Sequence, residues 1–139
     1  MHERVVTVVE SGNGPYGQFV TSGRHVMGAD EPESFGGHDT GPDPYEFVLA
    51  GLGACTAMTI RMFADRKSIP VKRVEVRLRH LQRASSGRDI KDKFERTITL
   101  EGDLTPEQRQ TLLEIADRCP VSKTLKQSSE IVSQLAEGA

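Results

Sequence analysis

The sequence has little cysteine, no tryptophan and no excess of charge of one sign. Only two of its 139 residues are cysteines, too few for the disulfide framework of a small secreted domain. Eighteen basic residues face twenty acidic ones, and the basic residues are scattered along the chain. Because nucleic acids and anionic membranes select clustered basic surfaces, we expect neither as a partner.

The sequence also shows no recognisable targeting segment. Its first ten residues, MHERVVTVVE, lack the apolar core and the small-residue cleavage site of a secretory signal. No apolar run reaches the roughly 18 residues of a membrane-spanning helix. These absences predict a cytoplasmic protein, and the length predicts a single domain over residues 1–139. In a reducing compartment, each thiol then needs its own explanation.

The first third of the chain is typical of a β-meander. Three β-like runs, RVVTVVE, GQFVTSG and RHVMGAD, are separated by turn-forming residues, and Ser22-Gly23 is predicted as the turn between the second and the third. The run EPESFGGHDTGPD is rich in Gly, Pro and Asp and predicts a loop from Glu31 to Asp43.

A long apolar helix is predicted after this loop. Asp43 is a capping residue, Pro44 suits the first helical position, and Glu46 resembles the third residue of a capping box. We expect the helix to continue to about Lys67. No charged side chain lies between Glu46 and Arg61, so the helix is apolar on every face, as buried central helices are. Its predicted length of roughly 35 Å is long for one small domain, and we therefore expect a homodimer in which partner elements complete its cover.

The rest of the chain predicts a hairpin, two helices and a strand. The runs VKRVEVRLRHLQ and KFERTITLE alternate apolar and polar residues, although Arg96 interrupts the apolar face of the second. We expect these strands to pair across the loop Arg83–Asp92. Thr105 is predicted to cap a helix that ends before Pro120. A short helical turn, VSKTLK, and a weak strand near Ile131 complete a predicted α+β fold.

Two patterns that could mark a binding site are better explained by structure. A G-x-G-x-x-G pattern at Gly12, Gly14 and Gly17 precedes a strand-like run rather than the helix that a dinucleotide site needs, so we interpret it as a hairpin loop. The four histidines show no metal-ligand spacing with each other or with the cysteines. We expect no metal and no organic cofactor.

Cys55 lies in the middle of the predicted apolar helix. A free cysteine in such a place is often only a small core residue. Gly51 and Gly53, however, each cost about 1 kcal/mol relative to alanine inside a helix, which calls for close packing or for access of a small molecule to the thiol. An apolar site raises the pKa of a thiol, so a reactive Cys55 needs a cation nearby. Arg24, at the tip of the predicted hairpin, is the best candidate, and an exposed turn arginine is an equally good interpretation of it.

Two more residues could serve such a site. Glu46 could orient Arg24 by a bidentate pair, or it could only cap the helix, and the two roles are compatible. Cys119 is predicted at the start of a short helix, where backbone N–H groups favour a thiolate. It could form a disulfide with Cys55 if the fold brings their Cα atoms within about 7 Å.

Two segments, GPDPYEFVLAGLGACTAMTIRMFADRK and ADRCPVSKTL, resemble the two cysteine signatures of the OsmC/Ohr family, in particular its OsmC-like branch. The order of the predicted elements agrees with this family over most of the chain. The resemblance implies an intertwined α+β homodimer, with long central helices between curved sheets and active sites at the subunit interface. It also implies thiol-dependent reduction of hydroperoxides, preferentially organic ones, with an external dithiol as reductant.

The resemblance further implies roles for individual residues. Cys55 matches the peroxidatic cysteine, Cys119 the resolving cysteine and Arg24 the activating arginine. The family's glutamate directly follows the proline, whereas here a tyrosine intervenes and Glu46 comes one position later, a rotation of about 100° around a helix. Two alternatives stay open on the same fold: a non-catalytic protein that binds a small apolar ligand, and a redox sensor.

Overall fold

The computed structural model describes residues 4–84 and 90–136. The chain forms two compact units that divide between Ala50 and Gly51.

The first unit contains the predicted β-meander. Its strands are β1 (Thr7–Glu10), β2 (Gln18–Ser22) and β3 (His25–Ala29), and they form one antiparallel sheet in the order β1-β2-β3. The G-x-G-x-x-G segment is the loop between β1 and β2, as predicted. The next turn was predicted one residue too early: Ser22 pairs with His25, so the turn residues are Gly23 and Arg24. Gly23 has the positive φ of 56° that a tight hairpin turn requires of one of its central residues and that glycine adopts without strain.

A buried carboxylate organises the loop after β3. The Asp30 side chain is 3% exposed and accepts hydrogen bonds from the backbone N–H groups of Glu31, His38 and Thr40 and from the Thr40 hydroxyl. The Thr40 hydroxyl and these N–H groups hold the pKa of Asp30 below its usual range, although burial opposes them. The loop also contains a 3-10 turn at Glu33–Phe35. It is the predicted loop, and one side chain fixes both of its ends.

Helix α1 (Pro44–Arg66) begins and ends within one residue of its predicted bounds. At its start, the backbone N–H of Asp43 donates to the Glu46 carboxylate and the N–H of Glu46 donates to the Asp43 carboxylate, both at 2.9 Å. These reciprocal bonds satisfy two of the backbone donors that a helix leaves unpaired at its N-terminus. The predicted capping role of Glu46 is therefore confirmed.

Within one chain, α1 buries a single stripe rather than every face. The buried positions recur every three or four residues, and they are Leu52, Gly53, Thr56, Ile60 and Ala64. On another side, Met58 and Met62 are 63% and 58% exposed. The prediction of burial on all faces thus describes one chain only in part, and the homodimer that would cover the remainder stays a prediction.

By length and mean hydropathy, 1.6 over its most apolar window, α1 could also cross a membrane. We expected no apolar run of the length of a membrane-spanning helix, and charged residues do interrupt α1 at Glu46 and Arg61. A window with a few charged or polar residues nevertheless has a high mean hydropathy. Core helices of globular folds have the same properties. Here the buried stripe packs with Val71, Leu112 and Ala116 in one cluster, which is the role of a core helix.

The second unit contains a long antiparallel hairpin. Its strands are β4 (Val71–Ala84) and β5 (Ile90–Gly102), with one irregularity in register between Val71 and Arg73. Each strand continues into the predicted loop Arg83–Asp92, and the centre of that loop, residues 85–89, lies outside the described residues.

Two helices follow the hairpin. Helix α2 (Pro106–Ile115) begins with the predicted capping box, in which Thr105 and Gln108 exchange side-chain-to-backbone bonds. A 3-10 turn, Ala116–Arg118, leads to α3 (Pro120–Lys126).

The final strand near Ile131 was predicted wrongly. Residues 127–136 form neither helix nor strand, and the Ile131 and Leu135 side chains are 89% and 91% exposed. Apolar residues form a strand when their backbone can pair with the edge of another strand and their side chains can pack on a buried face. In the described part of the chain, this segment has neither.

Candidate active site

The fold brings the two cysteines into direct contact. Cys55 lies near the middle of α1 and is half-buried. Cys119 is the residue immediately before α3, and its side chain is 0% exposed. Both are free thiols, and their side chains are hydrogen-bonded to each other. The sequence left this approach open, because two strands and a helix separate the two residues along the chain.

Local sequence explains the position of Cys119. Its N–H bonds the Ala116 carbonyl and closes the 3-10 turn, and its own carbonyl accepts from the Lys123 N–H in the first turn of α3. Pro120 suits the first helical position because it has no N–H to leave unpaired. The Cys119 sulfur lies next to the N–H groups of Val121 and Ser122, which hydrogen-bond it.

The two thiols have opposite shifts in pKa. Burial raises the pKa of Cys55, and the neighbouring Cys119 raises it further, against weaker hydrogen bonds from Val121 and Thr59. Burial also acts to raise the pKa of Cys119, but hydrogen bonds from Cys55, Ser122, Thr56 and Val121 together lower it below its ordinary value. When the pair carries one negative charge, these contacts favour the charge on Cys119.

A buried arginine that sequence reasoning did not assign to the site lies beside this pair. The Arg96 side chain is 14% exposed and donates to the Thr56 hydroxyl and the Ala116 carbonyl at 3.0 and 3.1 Å. It also bonds Asp117 at 3.0 Å and reaches the Ser122 hydroxyl at 3.5 Å. The available signal was the interruption of an apolar strand face by a charge, which calls for buried partners.

The structure places Arg24 and Glu46 in the first unit. Arg24 is exposed in the turn between β2 and β3, which confirms its predicted position at a hairpin tip. Among residues 4–84 and 90–136, no ion pair joins it to Glu46, whose Oε1 instead accepts from the Asp43 N–H. The predicted action of Arg24 on Cys55 therefore stays a prediction. Arg61, six residues beyond Cys55 in α1, donates to the Val71 carbonyl at 2.8 Å and pairs with Asp65.

The two glycines near Cys55 have different surroundings. A Cβ at Gly53 would come within 2.6 Å of a Leu78 methyl, whereas a Cβ at Gly51 would meet nothing within 4 Å. Gly53 therefore provides close packing of α1 on β4, and Gly51 leaves open space one turn before the thiol.

A groove of about 570 Å³ lies on the exposed side of α1. Its lining includes Met58 and Met62 of the helix and Val74 of β4. Cys55 is not among its lining residues, and access of a small molecule to the thiol stays a prediction.

Comparisons with known proteins agree on one family. The sequence model of the OsmC-like protein family matches residues 37–134. A search of curated proteins finds no match.

Solved structures with the same fold cover nearly the whole chain. The organic hydroperoxide resistance protein OsmC of Legionella pneumophila is 19% identical, with a TM-score of 0.70 over 91% of this chain and 90% of that one. An organic hydroperoxide resistance protein from Elizabethkingia anophelis, solved with thiocyanate bound, is 21% identical, with a TM-score of 0.69 over 89% and 88%. The organic hydroperoxide resistance protein OhrB of Bacillus subtilis is 24% identical, with a TM-score of 0.62 over 88% and 90%. At these identities the similarity shows the fold.

Proposed function

The chain belongs to the OsmC-like protein family, and from this premise we propose that it is a thiol-dependent peroxidase that reduces organic hydroperoxides. The observation that carries the proposal is the direct contact of a half-buried Cys55 with a fully buried Cys119. Such a pair provides one partly exposed cysteine and a second thiol hydrogen-bonded to it, as a two-cysteine cycle requires. Similar folds in proteins named for organic hydroperoxide resistance support the same chemistry.

The proposed cycle has three balanced steps. The Cys55 thiolate attacks the distal peroxide oxygen, the O–O bond breaks, and an alcohol leaves after taking up a proton, so that Cys55 becomes a sulfenic acid. Cys119 then forms a disulfide with Cys55 as the S–O bond breaks and water leaves. An external dithiol reduces this disulfide by exchange and is itself oxidised. Neither a metal nor an organic cofactor takes part.

The first step requires a cation that offsets the raised pKa of Cys55. In the proposed site, Arg24 supplies it, either from the same chain or from a second copy, because a guanidinium stabilises the adjacent thiolate. Among the described residues, the helix cap engages Oε1 of Glu46, and the second carboxylate oxygen can accept from Arg24. The capping role and the orienting role are therefore compatible.

A homodimer is the proposed assembly. The first unit exposes Val8, Phe19 and Val26 of its sheet, and the second exposes Met58 and Met62 of α1, all between 52% and 66%. Apolar side chains exposed to this degree on several elements are typical of surfaces that a partner covers. Near Cys55, they would also favour hydroperoxides with hydrocarbon groups over hydrogen peroxide.

Peroxide consumption tests the proposed activity. With a dithiol as reductant, we expect the protein to consume cumene hydroperoxide and Cys55→Ser to lose this activity, while Thr99→Ser, at an exposed position of β5, retains it. If the parent and Cys55→Ser lose peroxide equally slowly, the protein is not a peroxidase, and ligand binding or redox sensing becomes the better interpretation.

Mass spectrometry tests the resolving cysteine. After one equivalent of peroxide and no reductant, we expect the parent to lose two hydrogens as a Cys55–Cys119 disulfide forms. Cys119→Ser should instead retain an added oxygen on Cys55. If the parent protein keeps the added oxygen and forms no disulfide, Cys119 is not the resolving cysteine.

A further inference from the structure

Arg96 is a charged residue on the apolar side of β5. Its neighbours on that side, Ile98 and Leu100, pack against the core cluster of the second unit, and its own side chain is 14% exposed. A buried guanidinium is tolerated only when its donors are satisfied, because its desolvation is costly. The groups that accept hydrogen bonds from Arg96 therefore indicate which part of the structure this residue stabilises.

Arg96 hydrogen-bonds to four groups within the described residues, and three of them also contact Cys119. The Thr56 hydroxyl accepts from Arg96 Nη1 at 3.0 Å and is hydrogen-bonded to the Cys119 sulfur. The Ala116 carbonyl accepts from Nη1 at 3.1 Å and from the Cys119 N–H at 3.3 Å. Ser122 meets Nη2 through its hydroxyl at 3.5 Å and meets the sulfur through its backbone N–H.

The Thr56 hydroxyl is the most direct of these links. The hydroxyl has one proton, which it donates to the Leu52 carbonyl at an oxygen–oxygen distance of 2.7 Å. By rotation it can donate this proton to the Cys119 sulfur instead. Because Arg96 Nη1 donates to this same oxygen, the oxygen is polarised and its proton becomes a stronger donor. A sulfur that becomes negatively charged is a better acceptor than a carbonyl, since hydrogen bonds to ions are the stronger ones.

We propose that Arg96 is a positioning residue for the second step of the cycle, in which it holds Thr56, the Ala116 carbonyl and Ser122 so that they stabilise the Cys119 thiolate. This inference rests on the proposed function. The thiolate attacks the sulfenic sulfur of Cys55, the S–S bond forms, the S–O bond breaks, and the leaving hydroxide takes up a proton as water. Within residues 4–84 and 90–136, the hydrogen bonds of Arg96 go to these three groups and to Asp117, and none goes to a sulfur.

Other charges surround the same cluster. Asp117 accepts from Arg96 at 3.0 Å and from Lys126 at 3.3 Å, and Glu114 lines the same shallow groove as Arg96 and Asp117. Cys55 is the ionisable group on the α1 side. Asp117 is exposed, so water screens its carboxylate more than it screens the guanidinium that faces Thr56.

The titration of Cys119 tests this inference without any peroxide. The pKa of Cys119 is measured from the ultraviolet absorbance of its thiolate in Cys55→Ser, with Cys55→Ser/Cys119→Ser as the blank. Adding Arg96→Gln should raise this pKa by about one unit, a tenfold smaller thiolate fraction at pH 7. Arg96→Lys should recover part of the shift. The matched control is Arg79→Gln, which removes an exposed arginine paired with Glu95 on the same hairpin and should leave the pKa unchanged.

Two further measurements distinguish a failure of this inference from a folding defect and from a failure of the proposed function. They are the Cys119 pKa in a second variant and the rates of the first two steps of the cycle. Thr56→Val keeps the side-chain shape, removes the hydroxyl and should raise the same pKa. In the Cys55-containing protein, Arg96→Gln should not slow sulfenic acid formation, because less of the negative charge of the pair then lies on Cys119. It should slow disulfide formation about tenfold. An unchanged Cys119 pKa in both Arg96→Gln and Thr56→Val overturns the inference, as does an equal shift in Arg79→Gln. Failure of the peroxidase proposal would instead show as no sulfenic acid in the parent, whatever the titration gives.

Discussion

At the scale of single residues, the two sulfurs differ in exposure and in the groups that would carry their charge. Cys119 has Thr56, Val121 and Ser122 as hydrogen-bond partners and a lowered pKa. Cys55 is half-buried, and its pKa is raised by burial and by Cys119. The second unit therefore favours a thiolate on Cys119, and in the proposed cycle the activation of Cys55 is left to a group from outside these contacts.

The pH dependence of Cys55 tests whether Arg24 is that group. A raised thiol pKa means that the reactive thiolate is scarce at neutral pH and increases as the pH rises through that pKa. A nearby cation reverses this shift, so Arg24→Ala in a Cys119→Ser background should move the pH–rate profile for peroxide upward by about one unit or more.

The profile is measured as the rate of sulfenic acid formation against pH. Arg66→Ala, which removes an exposed arginine from the last turn of α1, is the control and should leave the profile in place. A profile that Arg24→Ala does not move would exclude activation by Arg24.

At the scale of helices and strands, most of the fold was predictable because local sequence signals mark these elements. Reciprocal caps at Asp43–Glu46 and Thr105–Gln108 marked the starts of α1 and α2. β-like runs between turn residues indicated β1, β2 and β3, and alternation of apolar and polar residues indicated β4 and β5. The strand near Ile131 was wrong because its partner edge could not be judged from its own residues. Arg96 was missed for the same reason: its partners come from α1, the 3-10 turn and α3, which only the folded chain brings together.

Helix α1 offers a stability test of its two glycines. Replacing glycine by alanine inside a helix gains about 1 kcal/mol when nothing obstructs the new methyl group. Gly51→Ala should therefore raise the free energy of unfolding by 0.5–1 kcal/mol, roughly the range for this exchange. Gly53→Ala should gain less or lose stability, because its methyl meets Leu78.

Chemical denaturation of both variants measures these differences. Destabilisation by Gly51→Ala would indicate that something covers this position in solution, and a second copy of the chain is the proposed cover.

The loop that Asp30 organises should show a pH-dependent stability. Because the folded pKa of Asp30 lies below its usual range, its contribution is fully present above the unfolded pKa of about 3.9 and is lost as the pH falls through the folded value. Asp30→Asn, which loses acceptor capacity, should lower the free energy of unfolding at pH 7, and the difference from the parent should shrink in acid. The control is Asp39→Asn at an exposed position of φ 56°, which asparagine tolerates. A difference that does not change with pH would contradict this assignment.

At the scale of the whole molecule, the exposed side of α1 tests the homodimer. A charge placed in an apolar interface costs more than about 2 kcal/mol when it is buried without a partner. Met58→Glu should therefore shift the protein toward monomer in sedimentation experiments, whereas Met58→Leu, which keeps apolar volume, should not. A parent chain that sediments as a monomer, or a dimer indifferent to Met58→Glu, would contradict the proposed assembly.

The unequal depth of the two sulfurs has a consequence for damage by excess oxidant. Sulfenic acid that is not captured by a thiol can be oxidised further to sulfinic acid, a step that is generally irreversible. Cys119, with no surface open to solvent, is shielded from any oxidant in bulk water, so permanent inactivation should accumulate on Cys55 alone. A protein recovered after severe oxidative stress would then carry sulfinic acid at Cys55 and an unmodified thiol at Cys119.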